Sequence, residues 1–105
     1  MNLNLQFAQG SIGVKLYNEL EFNAFIKFLE NNKMKDDSFV ANTTWNKLLS
    51  LINLPINKTR FGGFKGYIIL YLHYEHGLCY YLDEETALDE LSAIYTFIGG
   101  NLWIN

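Results

Sequence analysis

The chain has 105 residues, of which 50% are hydrophobic and 16% aromatic, so it is apolar enough for one folded domain over residues 1–105 and too apolar for a disordered chain. Its single cysteine, Cys79, excludes an internal disulfide framework and is typical of a reducing compartment. The net charge of −3 hides an asymmetry: residues 1–65 carry eight basic and five acidic side chains, whereas residues 66–105 carry six acidic and no basic ones.

The N-terminal third predicts a β-hairpin followed by a helix. Residues 2–7 and 12–16 alternate apolar and polar side chains around a turn at residues 9–11, as expected for two strands with one face in water. After Leu16 the spacing of apolar residues changes from the alternation of a strand to the spacing of a helix. A capping-box pattern at residues 18–21 predicts a helix that runs to about Asn32.

A second helix is predicted after a polar loop over residues 31–37. It is expected to start near Asn42 or Thr43 and to end before Pro55, because proline cannot continue a helix. Apolar residues at helix or strand spacing predict the core. They are Phe25, Ile26, Leu29, Trp45, Leu48, Leu49, Ile52, Leu70 and Leu72.

The C-terminal half predicts a loop, a second hairpin and a third helix. Residues 58–66 form a glycine-rich, basic and aromatic loop, and residues 67–82 form the hairpin, with a two-residue turn at residues 76–77. The third helix is expected to open at Asp83 and to run to Ile98, where two glycines stop it. The alternating residues 101–105 add a possible edge strand.

The resulting order is β-β-α-α-β-β-α with a possible C-terminal strand. Hairpins beside helices, without regular alternation of strand and helix, are typical of an α+β domain. We expect a single domain with an antiparallel sheet of four to five strands and about three helices, packed mainly on one face.

The second hairpin is apolar or aromatic on both of its faces. In the predicted register, one face carries Ile68, Leu70, Leu72, Tyr74, Cys79 and Tyr81 and is expected to face the core. The other carries Tyr67, Ile69, Tyr71, His73, Tyr80 and Leu82. Tyrosine suits a surface that is wet when free and dry when bound. The second face is therefore a candidate binding surface, and the alternative is that helices cover both faces.

No metal site, cofactor or catalytic residue is predicted. His73, His76 and Cys79 are residue types that bind zinc, but the predicted register points His73 and Cys79 to opposite faces. No base is aimed at the Cys79 thiol, and nothing indicates that the acidic residues are desolvated enough for acid–base catalysis. We expect a protein that is not an enzyme.

The basic loop supports an alternative function in nucleic-acid binding. Its candidate contact residues are Lys58, Arg60, Phe61, Phe64 and Lys65. Residues 65–71 resemble the aromatic strand of an RNA-recognition motif, whose rings stack on bases. The segment departs from that motif at Ile68 and Ile69, and the element order differs. Free nucleic acid is therefore not the expected partner.

The acidic half indicates a basic partner instead. Its candidate contact residues, which cluster at the start of the third helix, are Asp83, Glu84, Glu85, Asp89 and Glu90. Helix dipoles favour acids at that position, which is a sufficient structural explanation for them. Together with Tyr67, Tyr71, His73 and Tyr80, they would steer towards and dock on a larger protein with a nucleic-acid-binding surface.

In size, composition and charge layout the chain resembles the small phage proteins that block host defence nucleases, the anti-CRISPR type. This resemblance implies a non-enzymatic inhibitor that acts in the host cell cytoplasm. Neither a signal peptide nor an apolar run of the roughly 18 residues that span a membrane is present, so no membrane association is expected. A homodimer, formed through the tyrosine face or the terminal strand, is a further alternative.

Overall fold

In the computed structural model, residues 3–32 and 44–104 are described, and within them five helices pack around one five-stranded sheet. The helices are α1 (Leu3–Ala8), α2 (Glu19–Asn31), α3 (Trp45–Ile52), α4 (Pro55–Phe61) and α5 (Glu84–Glu90). The strands are β1 (Ile12–Leu16), β2 (Ile68–His73), β3 (Gly77–Tyr81), β4 (Ala93–Ile98) and β5 (Asn101–Ile104). The strand order is β3-β2-β1-β4-β5, and the β1–β4 pair is parallel. The predicted α+β class is confirmed, with a mixed sheet in place of a wholly antiparallel one.

Helix α1 occupies the segment that was expected to be the first strand, so the predicted N-terminal hairpin is wrong. Gly10 ends the helix at a φ of 77°. Its N–H donates to the carbonyl of Phe7 at 3.0 Å, and the N–H of Ser11 donates to that of Gln6 at 3.2 Å. These two bonds form a Schellman motif. The glycine at residue 10 therefore marks a helix C-terminus and not a hairpin turn.

Helices α2 and α3 lie where the sequence predicts them. Asn18 caps α2 by accepting the N–H of Glu21 at 2.9 Å, and Thr44 caps α3 by accepting the N–H of Lys47 at 3.2 Å. Residues 33–43, which hold part of the predicted polar loop and the expected start of the second helix, lie outside the described residues. Both helices bury their apolar stripes against one face of the sheet.

The core confirms most of the predicted burial. Of the nine residues expected to be buried, six are: Phe25, Leu29, Trp45, Leu48, Ile52 and Leu70. Three more are partly buried and pack against the same cluster: Ile26, Leu49 and Leu72. Phe7 joins them from α1, and its ring meets that of Phe25 edge-on at a centroid distance of 5.4 Å.

Pro55 ends the run of α3 as predicted, but it also begins α4. Proline suits the first position of a helix, since the N–H that it lacks would have no partner there. Gly62, at a φ of 85°, ends α4 in the left-handed conformation. The first residues of the predicted basic loop therefore lie on a helix, and the expectation of a loop over residues 58–61 is wrong.

The second hairpin is confirmed, but its predicted register is wrong by three residues. Cys79 lies opposite Tyr71, and Tyr80 lies opposite Leu70, with a three-residue loop over residues 74–76. Nδ1 of His73 stabilises this loop by accepting the N–H groups of Glu75 at 3.0 Å and His76 at 3.3 Å. The observed register also places Leu78 in the core, where it is buried. Burial of a leucine side chain favours this pairing by about 1.5–3 kcal/mol.

An odd shift of register moves every β3 side chain to the other face of the sheet. Tyr80 consequently packs against the main core, and the prediction that it shares a face with Tyr71 is wrong. Cys79 and Tyr81 lie on the face of Tyr71 and His73 instead.

The expected third helix is divided into α5 and β4, so the prediction of a helix as far as Ile98 is wrong. Residues 93–98, AIYTFI, are rich in β-branched and aromatic side chains, which favour a strand. Gly99 and Gly100 have φ values of 60° and 82° and form the two-residue turn into β5. The expected C-terminal edge strand is confirmed as β5.

Helix α5 crosses the sheet on the face opposite to α2 and α3. Its Ala87, with the following Leu91, packs against Ile69 and Ile94 in a second, smaller apolar cluster. Gly13 permits this approach, because a Cβ there would lie 2.6 Å from Cγ2 of Ile69 and 2.8 Å from Cδ1 of Leu91. Helices thus cover both faces of the central hairpin, the second face only in part.

Candidate functional site

Three tyrosines surround the second apolar cluster and are called here the tyrosine cluster: Tyr67, Tyr71 and Tyr81. The rings of Tyr71 and Tyr81 stack at a centroid distance of 4.7 Å and an interplanar angle of 15°. Burial, together with the hydrogen bond to Tyr81, raises the pKa of Tyr71 well above its usual range. The hydroxyl of Tyr71 is therefore neutral and hydrogen-bonded within the fold, to Tyr81 and Cys79, while its ring stays partly exposed.

Lys15 connects the tyrosine cluster to α5. Its ammonium forms an ion pair with Oε1 of Glu84 and lies 4.2 Å from the ring centroid of Tyr67. It also lies 5.2 Å from the ring of Tyr17. The hydroxyl of Tyr67 accepts the N–H of Glu84 at 3.2 Å. Glu84 and Tyr67, both predicted as partner contacts, are therefore already engaged within the protein.

We expect Lys15→Met to lower the free energy of unfolding by about 1–2 kcal/mol at neutral pH. The change removes a charge-assisted hydrogen bond and a cation–π contact, although the half-exposed Glu84 is partly screened. Burial opposes the charged amine, but Glu84 and Tyr17 outweigh it and raise the pKa of Lys15 above 10.5. The stabilisation should therefore be present below 10.5 and disappear as the pH rises through the folded-state pKa.

Urea denaturation at neutral pH and at about pH 11 measures this loss. The matched control is Lys27→Met, which removes an exposed lysine on α2. Two results would contradict the expectation. One is that Lys15→Met lowers the free energy of unfolding no more than Lys27→Met does, and the other is that its effect is the same at about pH 11 as at neutral pH.

Asp83 caps α5. Its Oδ1 accepts the N–H of Thr86 at 2.8 Å, and its Oδ2 accepts the Thr86 hydroxyl at 3.1 Å. Nζ of Lys65 approaches Oδ2 to 3.7 Å. The bonds from Thr86, with the charge of Lys65, lower the pKa of Asp83. This predicted contact residue is therefore a structural cap.

Asp83→Ala should cost about 0.5–2 kcal/mol of stability at pH 7, the usual effect of losing a helix cap. Because the pKa of Asp83 is lowered from 3.8, its carboxylate stabilises the fold above that value, and this contribution is lost as the pH falls through the folded-state pKa. Urea denaturation from about pH 7 to about pH 3 should show the wild type and the variant converging. A constant difference over that range would show that the charge of Asp83 has no role in the cap.

Three carboxylates of α5 remain free and are called here the outer carboxylates: Glu85, Asp89 and Glu90. All three are exposed, and none forms an ion pair with a basic side chain of the described residues. Glu85 and Asp89 stand one helical turn apart on the same side of α5. The predicted acidic surface is thus reduced to these three residues, because Asp83 and Glu84 are paired with lysines of the basic half.

Two of the five predicted nucleic-acid contacts are engaged within the fold. Lys58, Arg60 and Phe61 are exposed on α4. Phe64 instead packs against the core, and its ring meets that of Trp45 edge-on at 5.8 Å. Lys65 lies beside Asp83. The aromatic ring and the lysine nearest to β2 are thus used within the fold.

A cleft of about 460 Å³ separates α4 from the end of β3 and the start of α5. Its lining is Ile52, Asn57, Arg60, Phe61, Tyr80, Tyr81, Leu82, Asp83 and Thr86. This cleft brings Arg60 and Phe61, from the predicted nucleic-acid set, next to Tyr80 and Asp83, from the predicted protein-binding set. Sequence reasoning missed it, since it depends on how α4 packs beside the edge of the sheet.

His73 and Cys79 share a face in the observed register, contrary to the predicted geometry. Within residues 3–32 and 44–104, however, no group of three or more His, Cys, Asp or Glu side chains is placed to hold a metal ion. None of the helices described there has both the length and the apolar character needed to cross a bilayer. Comparison with protein-family models, curated proteins and solved structures finds no match to this chain.

Proposed function

We propose that this chain is a small, non-enzymatic protein-binding module that docks on the basic, nucleic-acid-binding surface of a larger protein and inhibits it. The proposed class is the anti-CRISPR type of phage inhibitor, acting in the cytoplasm of the host cell. One observation carries the proposal: the outer carboxylates of α5 are exposed and form no ion pair within the described residues, and their helix packs against the same apolar cluster as the partly exposed stack of Tyr71 and Tyr81.

The fold holds the outer carboxylates on a fixed support. Ala87 and Leu91 attach α5 to the sheet, and the Asp83 cap and the Lys15–Glu84 ion pair fix its start. A helix that is already fixed loses little backbone entropy on binding. A fixed negative patch raises the encounter rate with a positively charged surface, as required for competition with nucleic acid.

The tyrosine cluster supplies the apolar part of the proposed interface. Tyr71 and Tyr81 are partly exposed and pack against the same apolar cluster as Ala87 of α5. Rigid tyrosine rings next to charged groups are typical of the residues that contribute most to binding. Tyr80 and Phe64 are not part of this interface, since both pack towards the main core.

The state of Cys79 argues against nucleophilic catalysis by this thiol. Burial raises the pKa of this thiol, and a hydrogen bond with Tyr71 only partly offsets the effect. A nucleophilic cysteine needs the opposite shift, towards the thiolate.

The test is capture from a host lysate followed by competition. Wild-type protein should retain a nucleic-acid-binding protein, and the captured partner should lose its affinity for a labelled oligonucleotide as the chain is added. Retention of the partner with unchanged oligonucleotide binding would refute inhibition by occupation of the nucleic-acid surface.

Nucleic-acid binding stays as the second candidate because Lys58, Arg60 and Phe61 are exposed on one helix. A protein that contacts about three phosphates shows only a shallow dependence of affinity on salt. Submicromolar binding of an oligonucleotide at physiological salt would favour this candidate over protein binding. Size-exclusion mass at two concentrations tests the homodimer, which would form through the tyrosine face or by edge-to-edge pairing of the terminal strand β5.

A further inference from the structure

The cleft between α4 and β3 is lined on both sides by side chains of the fold. Tyr80, Tyr81 and Leu82 are consecutive and line it along the outer edge of β3, while Arg60 and Phe61 line it from α4. Ile52 and Leu82, both buried, provide an apolar floor. Its volume of about 460 Å³ falls within the range of small-molecule pockets, roughly 300–1,000 Å³.

Two hydrogen-bond donors in this cleft are without an acceptor among the described residues. The guanidinium of Arg60 forms no ion pair there, and its central carbon lies 5.9 Å from the ring centroid of Phe61. The hydroxyl of Tyr80 likewise has no partner, and burial raises its pKa, so the phenol stays protonated. Asp83, the one acid in the lining, is occupied by Thr86 and lies near Lys65.

We infer that this cleft binds a small aromatic anion, that is, a flat ring bearing a phosphate or carboxylate group. The anionic group would accept hydrogen bonds from Arg60 and Tyr80, since guanidinium groups match the geometry of both anions. The ring would pack against Phe61 and the apolar floor. The cleft shares Tyr81 with the proposed protein interface but none of the outer carboxylates, and the inference does not depend on the proposed function.

Titration of the ¹⁵N-labelled chain by NMR tests the inference, with phenyl phosphate as the probe. Inorganic phosphate supplies the anion without a ring, and benzamide supplies a ring without a charge. We expect phenyl phosphate to shift the amide signals of Asn57, Tyr80 and Thr86 in a saturable manner. Each control compound should bind at least about tenfold more weakly, because each lacks one of the two recognised groups.

Two variants and a matched control identify the residues. Arg60→Gln and Phe61→Ala, both at exposed positions of α4, should each weaken phenyl phosphate binding at least about tenfold. Lys58→Gln, on the same helix but outside the cleft, should change it less than about twofold. Amide spectra of the three variants show whether each remains folded.

Three outcomes would overturn the inference. The first is a set of amide shifts that do not saturate or that lie outside the cleft. The second is equal binding of phenyl phosphate by Arg60→Gln and Lys58→Gln. The third is a single-stranded oligonucleotide that binds the cleft at least about tenfold more tightly than phenyl phosphate, with a strong salt dependence. That result would reassign the cleft to nucleic acid.

Discussion

Gly10→Ala should lower the free energy of unfolding by roughly 3–4 kcal/mol, the largest effect that we expect from a single exposed or half-buried position. Two costs combine at this residue. Its φ of 77° is unfavourable for any residue with a Cβ by about 1–2 kcal/mol. A Cβ there would also overlap the backbone carbonyl oxygen of Leu72, which cannot turn away without disturbing β2.

The protein cannot relieve this clash by releasing α1. Phe7 is fully buried and contacts the ring of Phe25, so detachment of the helix would forfeit a core phenylalanine. That loss alone is worth about 3–5 kcal/mol. Thermal unfolding should therefore show a decrease in Tm on the order of 15 °C for a domain of this size.

Gly100→Ala provides the matched control. Gly100 has a similar φ of 82°, but no atom of residues 3–32 or 44–104 lies within 4 Å of the position that its Cβ would occupy. Only the conformational cost of about 1–2 kcal/mol is expected there. Equal losses of stability at the two glycines would show that the close approach to Leu72 contributes nothing.

Reversal of the outer carboxylates, by Glu85→Lys, Asp89→Lys and Glu90→Lys together, should slow association with the captured partner about 10- to 100-fold at low salt. Long-range charge acts mainly on the encounter, so the dissociation rate should change far less. The salt dependence of association should also flatten or change sign. Stopped-flow kinetics at two ionic strengths measures both effects.

The control variant has the same change in net charge, but its three substitutions lie outside α5. Glu19→Lys, Glu30→Lys and Glu75→Lys reverse three exposed acids that lie outside α5. Melting curves of both triple variants show how much stability each loses. Reversing charges near a helix end should lower the free energy of unfolding by only about 1 kcal/mol, so both variants should stay folded during the binding measurement. If both triple variants associate at the same rate, net charge and not the α5 surface governs the encounter.

Elements with agreeing local signals were predictable from the sequence. In α2, the cap at Asn18 and the apolar spacing of Phe22, Phe25 and Leu29 indicate the same helix. In α1 the signals conflict, since Leu3 and Phe7 fit an alternating strand and are also four residues apart, as on one helix face. A helix cap and a hairpin turn both use glycine, so Gly10 did not decide between them.

The remaining errors concern tertiary structure. The apolar residues Leu91, Tyr95 and Ile98 fit a helical period, yet β4 pairs with β1, a partner that only the complete sheet provides. The observed hairpin register is favoured by burial of Leu78 and by hydrogen bonds that the N–H groups of Glu75 and His76 donate to His73, and the alternation of apolar and polar residues reveals neither.

The residues of the candidate site could be predicted from the sequence, but the ion pairs that they form could not. Glu84 and Asp83 were correctly placed at the start of a helix. The Lys15–Glu84 pair depends on α5 lying over β1, whereas the Lys65–Asp83 pair depends on the register that brings the start of β2 beside the end of β3. Local sequence therefore indicates which charges cluster, and tertiary packing determines which of them stay free.

The central position of β1 also affects how the chain can fold. Val14 pairs with Leu70 on one side, and Ile12 pairs with Ala93 on the other, so both partners of this early strand are synthesised much later. Contacts between residues far apart in sequence require costly loop closure before they contribute stability. The sheet therefore cannot be completed from its N-terminal strand outwards. Until residues 93–98 leave the ribosome, β1 lacks its parallel partner β4.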